Sequence, residues 1–197
     1  MPRPFSQACE NNKHAILAVL ERYFAGPLRV LEIGSGTGQH AAFFCERLPE
    51  LHWQCSDLDV DRAGIEAWLA DSGRSDLPPP LDLDVRQGSW PVGPVDAVFS
   101  ANTAHIMAWE TVQACIAGVG RVLVPGGLLV LYGPFNYGGD YTSDSNRRFD
   151  GWLAARDPES AIRAFEDVDA EARRAGLALV EDCAMPANNR LLVWRRS

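Results

Sequence analysis

Three glycines at alternate positions, Gly34, Gly36 and Gly38, follow directly on the apolar run Val30–Ile33, and a glutamate, Glu32, is embedded in that run. Bare backbone of this kind lets a small molecule come close. Between a strand and a helix it signals a nucleotide-type site. The spacing is G-x-G-x-G, and Gln39 stands where the dinucleotide fingerprint needs its third glycine. No Gly-Lys-Ser/Thr follows, which excludes a P-loop. An acid two residues before the first glycine is expected near the mouth of the site. There it would repel a pyrophosphate and favour a ligand that carries positive charge. The alternative is a glycine-rich turn with a solvated glutamate.

Other polar residues fall at the spacing such a site requires. A ribose diol needs a carboxylate at the end of the second strand, about 20 residues after the turn. Asp57 in WQCSDLD meets this, and Leu58 beside it suits one face of a flat base. Asp59 is the fallback, although a helix N-cap before Val60 fits it better. The third strand ends in Asp84-Val85. Strand alternation turns Asp82 to the opposite side, so Asp84 is favoured, with a surface turn as its other reading. The fourth strand runs into SANTAHIMAW, whose start faces the crevice where open α/β sheets bind ligands. Asn102 and His105 are therefore expected near the reacting groups.

The elements that must position these residues alternate between short apolar runs and helical stretches. Helices are expected over 8–25, 39–48, 60–70, 111–119, 147–155 and 158–175. In the first, Ile16, Leu17, Leu20 and Phe24 share a face; in the third, Ile65, Trp68 and Leu69 point inward. Strands are expected over 29–33, 52–56, 81–85, 95–100, 128–132, 177–183 and 190–194. The alternation predicts an α/β fold with a mainly parallel sheet covered on both faces. The last two strands are joined only by MPANN, too short for a crossover, and should pair antiparallel at the sheet edge. Residues 133–146 read as a long polar loop, the kind that is usually functional.

Length and composition bound the rest. The chain has 197 residues, 47% apolar and 22% charged, with a formal net charge of −8. One domain over 1–197 is expected, with no internal repeat. The negative charge speaks against nucleic acid or an anionic membrane as main partner. Cys9, Cys45, Cys55, Cys115 and Cys183 are odd in number, scattered and without a C-x-x-C pair. This points to reduced thiols in a cytoplasm, not to disulfides or a metal site. No apolar run reaches membrane-spanning length.

The combination V-L-E-I-G-S-G-T-G resembles the first motif of class I S-adenosylmethionine-dependent methyltransferases, whose donor carries a sulfonium and an ammonium and no phosphate. The resemblance narrows over nearly the whole chain. ACENNKHAIL, LEIGSGTGQHAAFF, WQCSDLD, LDLDV, SANTAHIMAW, LYGPFNYGG, TSDSNRRFDGWLAARDP and MPANNRLLVWRR together are similar to the DUF938 (UPF0585) family, which includes the eukaryotic methyltransferase-like 26 proteins. That family's usual E-R-N-K appears as Glu10-Asn11-Asn12-Lys13, and its G-I-R-D as Ala161-Ile162-Arg163-Ala164, without the aspartate. The resemblance implies a Rossmann-like sheet of seven strands in the order 3-2-1-4-5-7-6, the last strand antiparallel. It implies S-adenosylmethionine as cofactor, leaving S-adenosylhomocysteine. The donor would be held by Glu32, the turn residues Gly34, Ser35, Gly36, Thr37 and Gly38, and His40. Asp57, Leu58, Asn102 and Asp84 would contribute further, Asp84 toward the adenine amino group and the Val85 backbone toward a ring nitrogen.

A sulfonium methyl is already electrophilic, so the protein's main task would be alignment and exclusion of water. His105 is the first candidate to orient or deprotonate an acceptor, followed by Tyr132, Asn136 and Tyr137. Asn12, within an N-terminal helix and lid over 1–25, is expected to fold over the donor. Residues 133–160 would form the acceptor side, with Arg147 and Arg148 able to clamp a carboxylate. The expected acceptor is a small polar metabolite methylated at N, S or O, the protein being a monomer or homodimer. The alternatives are a non-catalytic donor-binding partner protein, a methyltransferase acting on protein or RNA, and a nicotinamide oxidoreductase.

Overall fold

The structure is a computed structural model that describes residues 3–58 and 61–197. The elements run α1 (Gln7–Tyr23), β1 (Arg29–Ile33), α2 (Gln39–Arg47), β2 (His52–Asp57), α3 (Arg62–Asp71), β3 (Leu81–Asp82), β4 (Val95–Ala101) and α4 (Trp109–Val122). They continue with β5 (Leu123–Gly133), β6 (Phe135–Asn136), α5 (Asp144–Arg156), β7 (Arg163–Ala164), α6 (Phe165–Arg174), β8 (Leu177–Met185), a 3-10 turn over Pro186–Asn188, and β9 (Asn189–Arg196). Seven strands form one sheet in the order β3-β2-β1-β4-β5-β9-β8. Pairing is parallel from β3 to β5, and β9 runs antiparallel between β5 and β8. With the two short extra strands set aside, this is the expected seven-strand order. The closing hairpin is formed through MPANN as expected.

The two faces follow from the alternation of side chains along each strand. Val30, Phe99, Val130 and Val193 turn to one side and pack with Ile16 and Leu20 of α1, Phe44 of α2 and Ile65 of α3. Leu31, Val98, Leu129 and Trp194 turn to the other and pack with Ile116 and Val119 of α4 and Val168 of α6. Each such buried side chain contributes about 1.5–3 kcal/mol relative to exposure. Trp68 is only half-buried; its indole N–H donates to the Pro4 carbonyl at 2.7 Å and ties the N-terminal segment to α3. The expected start of α3 at Val60, and Asp59 before it, lie outside the described residues. Asp61 caps the helix, accepting from Gly64 N at 3.0 Å. Among the described residues no helix is long and apolar enough to cross a membrane.

Three expectations need correction. β3 ends at Asp82, so Asp84 and Val85 lie in the loop after it and strand alternation does not place Asp84. Residues 158–164 are not helical, and α6 begins only at Phe165. The preceding chain is held extended because β7 pairs with β6 and because the Arg163 guanidinium donates to the Ala104 and Glu159 carbonyls at 3.1 and 2.7 Å, and to that of Met107. Three fixed carbonyl partners outweigh the local helical pattern. The position where the family's aspartate is absent, Ala164, is the N-cap of α6, and no side chain caps that helix. The segment 133–146 is not an open lid. It folds into β6 and a tight Gly138-Gly139 turn closed by Tyr137 and Asp140, which exchange backbone bonds at 3.1 and 3.0 Å. Tyr137 stacks on Phe165 and donates to Asp182 at 2.9 Å, while Gly138 N donates to Glu166 at 2.9 Å.

Candidate functional site

The glycine turn is locked from beneath. Ser35 N donates to the Ser56 carbonyl at 2.9 Å, Ser56 N returns a bond to Ser35 Oγ at 3.0 Å, and Gly36 N donates to Asp57 Oδ2 at 2.7 Å. A side chain at Gly34 is excluded, since its Cβ would fall 2.4 Å from Thr103 Cγ2. Gly36, at φ 54°, has open space above it. Ser35, Thr37 and Gly38 shape the turn and do not line a cavity; the Thr37 hydroxyl bonds Gln39 at 3.1 Å.

Glu32 does not stand at the mouth. Alternation along β1 points it to the α2 side of the sheet, where it is 1% exposed and its Oε2 accepts from Ser35 Oγ at 2.8 Å and Trp53 Nε1 at 3.0 Å. Burial pushes its carboxyl up to about 7, against the pull of the Trp53 and Ser35 bonds. Its role is to fasten the turn. His40 is also turned inward. Its ring stacks on Phe44 and its Nε2 pairs with Asn12 Oδ1 at 2.7 Å. Burial, aided by Lys13, lowers it to about 4. It therefore positions Asn12 and lines neither cavity described below.

Two cavities open along the C-terminal ends of the strands. The first, of about 630 Å³, brings together Gly34, Gly36, Asp57, Leu58, Asp84, Val85 and Asn102. Leu58 and Ile106 present exposed apolar side chains to it, a pair of which only Leu58 was anticipated. Four carboxylates line it (Asp57, Asp84, Asp157 and Glu159) against one cation, Arg86. Burial raises the Asp57 carboxyl, opposed by the Gly36 and Leu58 backbone N–H groups. Asp84 is held by Arg86 at 2.7 Å, which pulls its carboxyl down to about 2. That pair is at the surface, where exchange for another donor is inexpensive.

The second cavity, of about 610 Å³, shares Asn102 with the first and is lined by Asn12, His105 and Tyr132. His105 Nδ1 and Asn102 Oδ1 lie 3.6 and 4.0 Å from the point where a Gly133 Cβ would be, so both address one spot. Burial, with a smaller effect from Arg163, lowers His105 to about 4. Tyr132 is raised by burial, with hydrogen bonding from Asn12 and Asn189 working the other way. Asn102, Ala187 and Asn188 are the non-glycine residues at positive φ among the described residues, and all three line this cavity. Strain of this kind gathers at functional sites.

Asn136 is not brought to either cavity. It sits on β6, where its amide donates to the Ile162 carbonyl at 3.4 Å, because Phe135 before it takes the inward position. Tyr137 is likewise spent on bracing. Arg147 pairs with Asp140 at 3.2 Å and Arg148 is exposed; neither lines a cavity, so no carboxylate clamp forms. The sequence reading missed Asn11, Asn146, Asn188 and Asn189, the aromatic pair Phe149–Trp152, and Arg163, which grips the backbone on either side of His105.

The sheet order, the antiparallel β9 and the cavities at the strand ends are those of the Rossmann-like fold of S-adenosylmethionine-dependent methyltransferases. Mitomycin 7-O-methyltransferase MmcR superposes with a TM-score of 0.83 at 16% identity, over 96% of this chain and 54% of its own. An O-methyltransferase family 2 protein from Planctomyces limnophilus, solved with apigenin, gives 0.80 at 18%, over 95% and 57%. PigF, solved with SAH, gives 0.77 at 17%, over 92% and 54%. The chain thus spans a little over half the length of these structures. Residues 3–196 match the model of DUF938, described as a protein of unknown function, and the chain belongs to that family.

Proposed function

We propose that this chain transfers a methyl group from S-adenosylmethionine to N, S or O of a small polar molecule. The observation that carries the reading is the meeting of two cavities at Asn102, one acidic and built on the glycine turn, the other bearing His105 and Tyr132. The first fits the donor: Asp57 would accept from ribose hydroxyls, Asp84 from an exocyclic amine, and Leu58 and Ile106 would cover a flat base. Four carboxylates against one arginine disfavour a polyphosphate and suit a cation.

The donor would supply a methyl on a positively charged sulfur, whose bonding pair would stay on sulfur, and the chain's residues would align the acceptor's lone pair with it and take up any proton the acceptor gives up. His105 is neutral above about pH 4, lines the second cavity and would receive that proton. For an oxygen or sulfur acceptor a weak base is sufficient, because the protonated product is a far stronger acid than an imidazolium. Tyr132 stays protonated and serves as a hydrogen-bonding wall. Holding both partners in line in adjoining cavities is worth about 7–11 kcal/mol in such reactions.

Titration calorimetry with S-adenosylhomocysteine, NADP and ATP tests this. The first should bind and the others should not; tight uptake of NADP or ATP with the sulfur ligand ignored refutes the reading. Asp57→Ala should weaken S-adenosylhomocysteine by about 1–3 kcal/mol, and unchanged affinity would remove Asp57 from the ribose site. Turnover on a metabolite panel separates an enzyme from a donor-binding module of the same fold.

A further inference from the structure

The second cavity has an unusual composition. Six of the chain's seven asparagines line it: Asn11, Asn12, Asn102, Asn146, Asn188 and Asn189. They come from α1, the β4 loop, α5 and the β8–β9 connection, so four separate segments converge on one chemistry. No Asp, Glu, Lys or Arg is among the described residues that line it. Its titratable members, His105 and Tyr132, are both held neutral at pH 7.

The amides are also oriented. On the α1 side, Asn11 Oδ1 accepts from Gln7 at 2.8 Å and Asn12 Oδ1 from His40 at 2.7 Å, which turns their N–H groups into the cavity, one of Asn12's toward the Tyr132 hydroxyl. On the opposite side the amide nitrogens are engaged instead. Asn146 donates to Thr142 at 2.9 Å and to the Asn188 carbonyl at 3.2 Å, Asn188 to Ser145 at 3.1 Å, and Asn189 to the Pro186 carbonyl at 3.2 Å. Their oxygens remain. One wall therefore donates and the other accepts. Between them Phe149 and Trp152 stack at 5.8 Å and 16°, with Trp152 51% exposed at the rim. Flat aromatic faces bind flat rings. A charged ligand would lose its hydration here and find no countercharge.

Resting on the methyltransferase reading above, we infer that the acceptor is an uncharged planar heteroaromatic with a hydrogen-bond acceptor and a donor at its edge. A lactam, a ring carboxamide or a hydroxy-azaarene meets that description. The asparagines read its edge and Phe149–Trp152 its face. An amino acid, a carboxylate or a phosphate does not fit.

Calorimetry on the full chain saturated with S-adenosylhomocysteine tests this with two matched pairs: 4-hydroxyquinoline against its 2-carboxylate, and nicotinamide against nicotinate. The neutral member of each pair should bind at least tenfold more tightly. Trp152→Ala and Asn188→Gly should each weaken the neutral ligands at least fivefold and leave S-adenosylhomocysteine within twofold. Trp152 is half exposed, and glycine accepts the φ of 59° at position 188, so neither change threatens the fold. Carboxylates that bind as tightly as their neutral partners, no binding by either neutral ligand, or two silent variants would overturn the assignment. If S-adenosylhomocysteine binds and the pairs are not discriminated, only the acceptor class falls; if it fails to bind, the methyltransferase reading falls with it.

Discussion

Glu32→Gln is the most discriminating perturbation, because it separates fastening the turn from facing the ligand. The carboxyl is 1% exposed and raised from 4.5 to about 7. An acid whose folded pKa is raised binds its proton more tightly in the folded chain. Its stabilising contribution is complete below pH 4.5 and is lost as pH rises through 7. A shift of that size corresponds to about 3 kcal/mol in all, most of it falling between pH 5 and 8. Glutamine has nearly the same shape and can keep the acceptor for Ser35 and Trp53, but it does not ionise.

The wild-type curve alone would conceal this. His40 and His105 are both lowered from 6.5 to about 4, so each contributes stability that is present above pH 6.5 and lost as pH falls through 4. Acidification therefore gains from Glu32 while it loses from the histidines. The difference between the variant and wild-type unfolding free energies cancels the histidines. Measured by urea denaturation, that difference should move in favour of Glu32→Gln by about 2–3 kcal/mol from pH 5 to pH 8. A difference that stays flat over this range would refute the burial of an ionisable Glu32 beneath the turn.

Two further outcomes follow from particular side chains. Ala164→Asp supplies the missing N-cap of α6 and should raise stability by about 1 kcal/mol in the same denaturation assay; a neutral or destabilising result would mean the extended β7 strand leaves the cap no room. His105→Gln should lower turnover and leave S-adenosylhomocysteine affinity within twofold. In the wild type the rate should show no His105 inflection between pH 6 and 8, and one near pH 6.5 that the variant abolishes would place the imidazole in water, not behind Arg163 and Phe149.

The fold was legible wherever burial imposes a period. Val30, Phe99 and Val130 alternate with Leu31, Val98 and Leu129 because each strand is covered on both faces, and these runs define the sheet before any contact is known. The edge hairpin was legible for a steric reason, since MPANN cannot make a crossover. The failures lie where side chains serve the backbone. Residues 158–164 carry a helical pattern, yet Arg163 spends its guanidinium on two carbonyls of the segment after β4 and one of its own, and local propensity has no term for that. The loop over 133–146 looked free because its polar residues were counted as available, when Tyr137 and Gly138 are bonded to β8 and α6.

The first cavity was partly legible, because Asp57 and Asn102 stand at or just after the ends of β2 and β4. Asp57, Leu58 and Asn102 need only the sheet order to meet. The other cavity has no such rule. Its asparagines sit near both chain ends, after β4 and in α5, and nothing in the spacing of Asn12, Asn146 and Asn188 says that they converge. What brings them together is β9, which runs antiparallel beside β5 and so returns the MPANN turn to the strand ends where Tyr132 lies. The same turn carries Ala187 and Asn188 at positive φ, a conformation only a tight reversal demands. The antiparallel strand is thus the device that places a rigid, uncharged wall opposite α1. Loss of its turn geometry would open the second cavity while leaving the glycine turn and its carboxylates in place.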